Sequence, residues 1–228
     1  MTMRYSGNEL PLMASATHWK SYITDLIRPH LGPSVLEVGA GIGSNIAYLH
    51  RPPVRDWTAL EPDPIQAAEI IAPGVHVIVG TLGAIDATAR YDAILYLDVL
   101  EHIADDAAEL RRAATLLSPG GRLIVLAPAH QYLYSEMDAA IGHYRRYTAA
   151  TLRALTPAGC PLECLHMLDA VGWLASLGNR LMLHRAQPSA GQIGVWDSVL
   201  VPISRRVDKL IGFRFGKSIL AVWRRVDG

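Results

Sequence analysis

Short apolar runs alternate along the chain with stretches whose apolar residues recur at helical spacing. The runs are continuous rather than alternating, which is typical of strands buried on both faces of a sheet. The predicted strands are Ser34–Val38, Trp57–Leu60, Val75–Val79, Tyr91–Leu97, Arg122–Ala127, Pro161–Leu168 and Ser218–Arg224. Because helical segments separate most of them, the pattern predicts an open parallel α/β sheet with helices on both faces.

The helical spacing is clearest in residues 14–31, where Trp19, Tyr22 and Ile23 belong to one apolar set. Further helices are predicted at 44–50, from the second strand's end through Ile71, at 102–117 and at 149–156. Thr148 is the expected N-cap of the last of these, because its hydroxyl can accept a backbone N–H.

Two stretches, 128–147 and 170–217, interrupt the alternation. Ligands bind beyond the carboxyl ends of the strands in such sheets, and long insertions there often cover a substrate. The sequence therefore predicts four segments. They are a helical cap (1–32), a ligand-binding core (33–169), a helical lid (170–217) and the final core strand (218–228).

A glycine-rich turn, Glu37-Val38-Gly39-Ala40-Gly41-Ile42-Gly43, follows the first strand and opens a helix. A dinucleotide site prefers G-x-G-x-x-G, whereas the third glycine here comes one residue early. Glu37 would also repel a pyrophosphate and would favour a cationic or amino-bearing ligand. Glu61 ends the second strand, where a carboxylate can accept both hydrogen bonds of a ribose diol.

These motifs, together with YDAILYLDVLEHI and LLSPGGRLIVLAP, resemble the class I S-adenosylmethionine (SAM) dependent methyltransferases over about residues 33–130. The resemblance implies a Rossmann-like seven-stranded sheet with a helical C-terminal insertion as lid, SAM as cofactor, and methyl transfer as activity. It implies that Glu37 lies near the methionyl amine and Glu61 holds the ribose. The implied cofactor residues are Glu37, Gly39, Ala40, Gly41, Gly43, Glu61, Pro62, Thr81, Leu82, Asp98 and Val99.

The first insertion contains the candidate catalytic chemistry. Its D-x-x-x-G-H-Y-R-R-Y motif, like the later F-G-K-S, is similar to a bacterial subgroup of these enzymes. Histidine accepts protons near neutral pH, so His143 is the candidate general base. The candidate catalytic residues are His143, Tyr144, Glu136 and His102, and the candidate substrate-binding residues are Arg145, Arg146, Tyr134 and Trp173. Alternatively, the loop is solvated and its arginines pair with Asp138 and Glu136.

Charge is unevenly distributed although the net charge is zero. Residues 1–140 carry 9 basic and 16 acidic side chains, whereas residues 141–228 carry 12 and 5. The neutral total disfavours nucleic acid as a partner. The apolar and cationic second insertion suits an isoprenoid, lipid or natural-product acceptor, or peripheral membrane contact, although it could equally be core or a dimer interface.

Two cysteines without a ligand pattern predict no metal site. The chain start lacks a signal-peptide pattern, and no apolar run approaches the roughly 20 residues of a membrane span, so the expectation is a cytoplasmic monomer or homodimer. The leading hypothesis is small-molecule methylation, for example in secondary metabolism. A SAM-fold cyclase or pericyclase without methyl transfer, or a nonenzymatic SAM-binding subunit, are the alternatives.

Overall fold

The computed structural model describes residues 15–182 and 190–226, so parts of the predicted cap and lid lie outside the described residues. A seven-stranded sheet has the order β3-β2-β1-β4-β5-β7-β6. Its strands are β1 Ser34–Val38, β2 Asp56–Glu61, β3 Val75–Val79, β4 Tyr91–Leu97, β5 Leu117–Pro128, β6 Leu162–Leu168 and β7 Ser218–Arg224. The predicted strands are all present.

The expectation of an entirely parallel sheet is wrong for β7. This strand is antiparallel to both of its neighbours, β5 and β6. The chain leaves β6 at Leu168 and re-enters the sheet at Ser218, and these two residues are paired partners at one edge. Because the intervening segment begins and ends at the same edge, β7 has to run back in the opposite direction.

The helices cover both faces of the sheet, as predicted. They are α1 Thr17–Ile27, α2 Ile46–Leu49, α3 Pro64–Ala68, α4 Asp106–Thr115, α5 Glu136–Ala140, α6 Ala149–Ala154, α7 Ala170–Met182, α8 Ala190–Val195 and α9 Val201–Leu210. One hydrophobic core contains Leu36 of β1 with residues of α4 and α6. The other contains Val35 with residues of α1, α2 and α9.

Caps set two of the helix boundaries. Thr148 accepts a hydrogen bond from the Thr151 amide at 3.1 Å, which confirms its predicted role at the start of α6. The helix predicted at 102–117 begins only at Asp106, because Leu100–His102 forms a separate 3₁₀ turn. Asp105 then caps α4 by accepting from the Ala108 amide at 2.9 Å.

Buried carboxylates fasten the C-terminal insertion to the rest of the fold. Asp197 accepts from the backbone amides of His18 at 3.2 Å and Trp19 at 2.8 Å, and so caps α1 from a distant part of the chain. Asp208 accepts from the Tyr22 hydroxyl at 2.7 Å and from the amide of Asp169, also at 2.7 Å. The described part of the insertion is therefore a packed layer joined to α1 and to the end of β6.

We expect Asp197→Ala to lower the free energy of unfolding by about 1 kcal/mol, because two amides at the start of α1 lose their acceptor. In a chain of this length that corresponds to a melting temperature about 2–4 °C lower, measurable by calorimetry. Asp56→Ala, at an exposed position at the start of β2, is the control. Equal melting of the two variants would show that the cap contributes nothing.

Candidate active site

The site lies where the strand order reverses. β1 pairs in parallel with both β2 and β4, so the connections that follow β1 and β4 diverge from their shared carboxyl edge. Val38 and Tyr96 are paired partners there, which places the glycine turn after β1 beside the segment that begins at Asp98. A crevice of this kind is where open α/β sheets bind ligands.

The glycine turn adopts a backbone that other residues reach only with strain. Gly39, Gly41 and Gly43 have φ angles of 67°, 56° and 76°. A Cβ atom at Gly39 would lie 2.6 Å from a methyl carbon of Val99. Val99 therefore packs directly on the turn, and two of the predicted cofactor residues are brought into contact.

Glu61 faces the glycine turn from the end of β2. Its Oε2 accepts from the Gly41 amide at 2.7 Å and its Oε1 from the Asp63 amide at 2.9 Å. The side chain is buried, and this burial raises its pKa above the ordinary value. Each carboxylate oxygen retains a further lone pair for a ligand hydroxyl. This placement fits the predicted ribose-binding role.

Glu37 is fully buried under the same turn, and burial raises its pKa to about 7. Its Oε1 accepts from the Asn45 amide nitrogen at 3.0 Å, whereas Oε2 makes no hydrogen bond of normal geometry among the described residues, and the nearby Trp57 indole acts on the carboxyl by lowering its pKa. A buried acceptor of this kind is satisfied by a bound donor or cation. The residues around the turn therefore fit SAM, which carries an amino group, a sulfonium and a ribose.

Sequence reasoning missed Lys20, which approaches the turn from α1. Its ammonium group donates to Ser44 Oγ at 2.8 Å and to Asn45 Oδ1 at 2.9 Å, and burial lowers its pKa. Lys20, Asn45 and Glu37 thus form one hydrogen-bonded chain. The sequence did contain a signal for Lys20. It precedes Ile23 by three residues, and this helical spacing places it on the buried, apolar face of α1.

The remaining predicted cofactor residues surround this centre. Pro62 and Thr81 are exposed after β2 and β3, Ala40 is buried in the turn, and Leu82 is buried at the start of a 3₁₀ turn. Asp98 has a positive φ of 55° directly after β4. Its side chain is exposed, and desolvation by the surrounding protein raises its pKa to about 6. Asp98 therefore lies at the carboxyl end of β4, within electrostatic range of Lys20 and His143.

His143 is held in a fixed orientation beside the crevice. Its Nδ1 lies 2.9 Å from Asp138 Oδ1, and its Nε2 lies 3.8 Å from Glu101 Oε1. Burial alone would raise the pKa of Asp138, but hydrogen bonds from His143 and Arg146 hold that pKa well below its usual range. The Tyr134 hydroxyl donates to the His143 carbonyl at 2.6 Å, so this predicted substrate residue supports the loop.

Both arginines of the loop are paired with carboxylates of the chain. Arg146 makes two hydrogen bonds to Asp138, at 2.8 and 2.9 Å, as the solvated-loop alternative expected. Arg145 pairs at 2.6 Å with Asp106 rather than with Glu136. Their recognition of a substrate stays a prediction. Glu136 is exposed at the start of α5, and Tyr144 is exposed with Arg145 near its ring.

His102 and Glu101 lie next to His143 at the crevice. The His102 ring meets the His143 ring edge-on with centroids 4.5 Å apart, and burial lowers the pKa of His102 to about 4. Glu101 is buried, which raises its pKa well above the ordinary value. The structure thus brings together two predicted catalytic residues, His102 and His143, with Glu101.

An aromatic cluster lies at the carboxyl edge beyond β5. Trp173 donates from its indole nitrogen to the Tyr132 hydroxyl at 2.7 Å, and the rings of His130 and Phe215 each lie 6.2 Å from the Trp173 ring. We call His130, Tyr132, Trp173 and Phe215 the aromatic cluster. Tyr132 and Phe215 each expose about half of their surface, at 50% and 55%.

Lys217, the lysine of the F-G-K-S motif, was not among the predicted site residues. Its ammonium group lies 3.4 Å from Asp169 Oδ2 and 4.0 Å from the centre of the Trp196 ring. Burial lowers the pKa of Lys217.

Among the described residues, no helix is both long and apolar enough to cross a bilayer.

Comparison with known proteins connects this geometry to a family. A family model described as a methyltransferase domain matches residues 15–161. A ubiquinone biosynthesis O-methyltransferase from Azorhizobium caulinodans is 36% identical over 109 residues, which are 43% of this chain and 42% of the relative. One from Xylella fastidiosa is 33% identical over 144 residues, 60% and 57% of the two chains. The chain spans about half the length of the curated relatives it matches.

Solved structures share the fold at low sequence identity. A Haloferax volcanii putative methyltransferase, in complex with the Trm112 activator, has a TM-score of 0.65 and 16% identity over 96% of this chain and 95% of that one. Geranyl diphosphate methyltransferase in complex with SAM has a TM-score of 0.64 and 15% identity over 97% and 91%. With the domain match covering more than half of the chain, the protein belongs to the class I SAM-dependent methyltransferases.

Proposed function

We propose that this methyltransferase acts on a hydroxyl group of a small, largely apolar acceptor. The observation that carries the proposal is the position of Asp98, which lies within electrostatic range of Lys20 at the glycine turn and of His143 in the Asp138–His143 pair. The curated relatives named as O-methyltransferases of ubiquinone biosynthesis support a hydroxyl as the acceptor group. The half-exposed aromatic cluster supports an apolar acceptor body.

Bound SAM supplies an electrophilic methyl group on a sulfonium centre that is already a good leaving group. The chain's part is to hold, orient and exclude water. Glu61 would accept from the ribose hydroxyls, the Lys20–Asn45–Glu37 chain would fix the methionyl end, and Pro62 and Leu82 would flank the adenine.

We propose that His143 is the general base that removes the hydroxyl proton of the acceptor. Its Nδ1–H donates to Asp138, which leaves the Nε2 lone pair directed away from that carboxylate. Ser135 and Arg146 hold Asp138 in turn, so the imidazole is oriented before an acceptor arrives. Nε2 would take the hydroxyl proton as the acceptor oxygen forms its bond to the methyl carbon.

Glu61→Ala is expected to weaken S-adenosylhomocysteine binding by at least about tenfold, because the ribose loses both acceptors. Isothermal titration calorimetry measures this affinity, and circular dichroism checks that the fold persists without the Gly41 contact. Asp56→Ala, at an exposed carboxylate at the opposite end of β2, is the control. An unchanged affinity in Glu61→Ala would remove Glu61 from the cofactor site.

His143→Ala is expected to lower methyl transfer by at least about 100-fold while SAM affinity stays unchanged, because base removal affects the chemical step. The assay compares phenols bearing isoprenoid tails with small polar phenols, and mass spectrometry reads the product. Methylation adds one methylene to the acceptor mass, whereas cyclisation adds nothing. His76→Ala, on the exposed side of β3, is the control. Unchanged turnover would exclude His143 as the base, and activity confined to polar acceptors would exclude the apolar acceptor.

We further propose that the C-terminal insertion contacts an anionic membrane surface, where an isoprenoid acceptor would reside. Val195, Val199 and Ile203 follow each other at four-residue spacing and are 57%, 49% and 43% exposed. The neighbouring cations Arg206 and Lys209 match an anionic surface.

The variant Val199→Asp/Ile203→Asp should therefore lose binding to vesicles that contain phosphatidylglycerol, as measured by co-sedimentation. Ile71→Asp changes a residue that is 91% exposed elsewhere on the chain, and it should bind like the wild type. Equal binding by the two variants, or no binding by the wild type, would contradict membrane contact. If the double variant lost self-association rather than vesicle binding, Val195, Val199 and Ile203 would belong to a dimer interface.

A further inference from the structure

Glu101, His102 and His143 come together from two separate segments, the 3₁₀ turn after β4 and the loop after α5. One potential ligand atom from each residue lies within 4.8 Å of the others. We propose that these three side chains bind a divalent transition-metal ion, with zinc as the best match to their donor atoms. The sequence had predicted no metal ligands, because its cysteines lack a zinc-binding pattern.

The donor set and the distances suit such an ion. Two imidazoles and one carboxylate are a common protein ligand set for catalytic zinc, and they leave a coordination position open. Tetrahedral zinc keeps its ligand atoms about 3.4 Å apart. His143 Nε2 and Glu101 Oε1 are already 3.8 Å apart, and the two imidazole rings are in contact at 4.5 Å. Small side-chain rotations would therefore complete the site.

An independent observation points to a missing cation. Glu101 is 1% exposed, and its Oε2 has no hydrogen-bond partner within the described parts of the chain. A buried carboxylate oxygen without a partner is costly, because it loses its hydration and gains nothing in return. A metal ion held by both carboxylate oxygens, Oε1 on the side of His143 and Oε2, would supply that interaction.

The outer contacts of both imidazoles match those of metal-bound histidines. Such histidines direct their second nitrogen to a carboxylate or a backbone carbonyl, which fixes the ring orientation. His143 directs Nδ1 to Asp138 at 2.9 Å, and Asp138 is itself held by Arg146. His102 is hydrogen-bonded to the backbone of Gly142. The ring nitrogens nearest Glu101 are thereby oriented in advance.

The binding of the metal ion depends only on the three side chains. Its role in methyl transfer, by contrast, rests on the proposed function. A metal ion and a proton compete for the same Nε2 lone pair, so His143 would act as a ligand wherever the metal is bound. The open coordination position would receive the acceptor's hydroxyl oxygen and lower its pKa, and the proton would pass to solvent. The metal would then replace the histidine base.

The test is titration of the chelator-treated, tag-free full chain with Zn²⁺ by calorimetry and with Co²⁺ by visible absorption. We expect one ion per chain and a Co²⁺ spectrum showing nitrogen ligation. His143→Ala and the isosteric Glu101→Gln should each weaken Zn²⁺ binding at least about tenfold. Asp138→Asn should weaken it about tenfold through the lost orientation of His143. His76→Ala should bind like the wild type.

Two results would overturn the metal site. One is the absence of wild-type Zn²⁺ binding, and the other is equal binding in His76→Ala and in the variants of His143, Glu101 and Asp138. If a variant fails to fold, the Co²⁺ spectrum of the wild type still decides whether histidine nitrogens coordinate. S-adenosylhomocysteine titration of the same samples separates the two proposals. Cofactor binding without zinc binding would overturn the metal site alone, whereas zinc binding without cofactor binding would contradict the proposed function.

Discussion

The parallel pairing of β1 with β4 is the constraint on which the site depends. Their connections leave in opposite directions, so the two carboxyl ends border a crevice that no crossover helix fills. The turn after β1 and the turn after β4 then face each other across one strand spacing. Gly39 and Val99 are in contact for this reason. A cofactor pocket and an ionisable cluster can therefore share one edge of the sheet.

Buried carboxylates hold the segments around this crevice in place. Asp138 collects donors from its own loop, whereas Asp197 and Asp208 reach across almost the whole chain to α1. Each has two or more hydrogen-bond donors, which offsets the cost of burying its charge. Glu37 Oε2 and Glu101 Oε2 differ from these, because neither has a hydrogen-bond partner among the described residues.

The local features of the fold were predictable from sequence. β1, β3, β4 and β7 have the predicted bounds. For β1, β4 and β7 the reason is that a strand buried on both faces needs a largely apolar run, whereas β3 is partly exposed at the edge of the sheet. The positive φ angles in the glycine turn follow from residue type. The direction of β7 was not predictable in this way, because it depends on where a long helical insertion returns to the sheet rather than on the strand's own residues.

The sequence alone determined the secondary-structure elements, the glycine turn, the position of Glu61 at the end of β2 and the family. Each of these is encoded by residues that are neighbours in the chain. Tertiary structure alone decided which charges from distant segments meet, and which neighbour in the loop is the partner of His143. Asp138 rather than Glu136 orients His143, Arg145 pairs with Asp106, and Lys20 reaches the glycine turn from another helix. Ion pairs and hydrogen bonds act over a few ångströms of space and carry no signature in residue spacing. Their partners are fixed only when the sheet brings distant segments to the same edge.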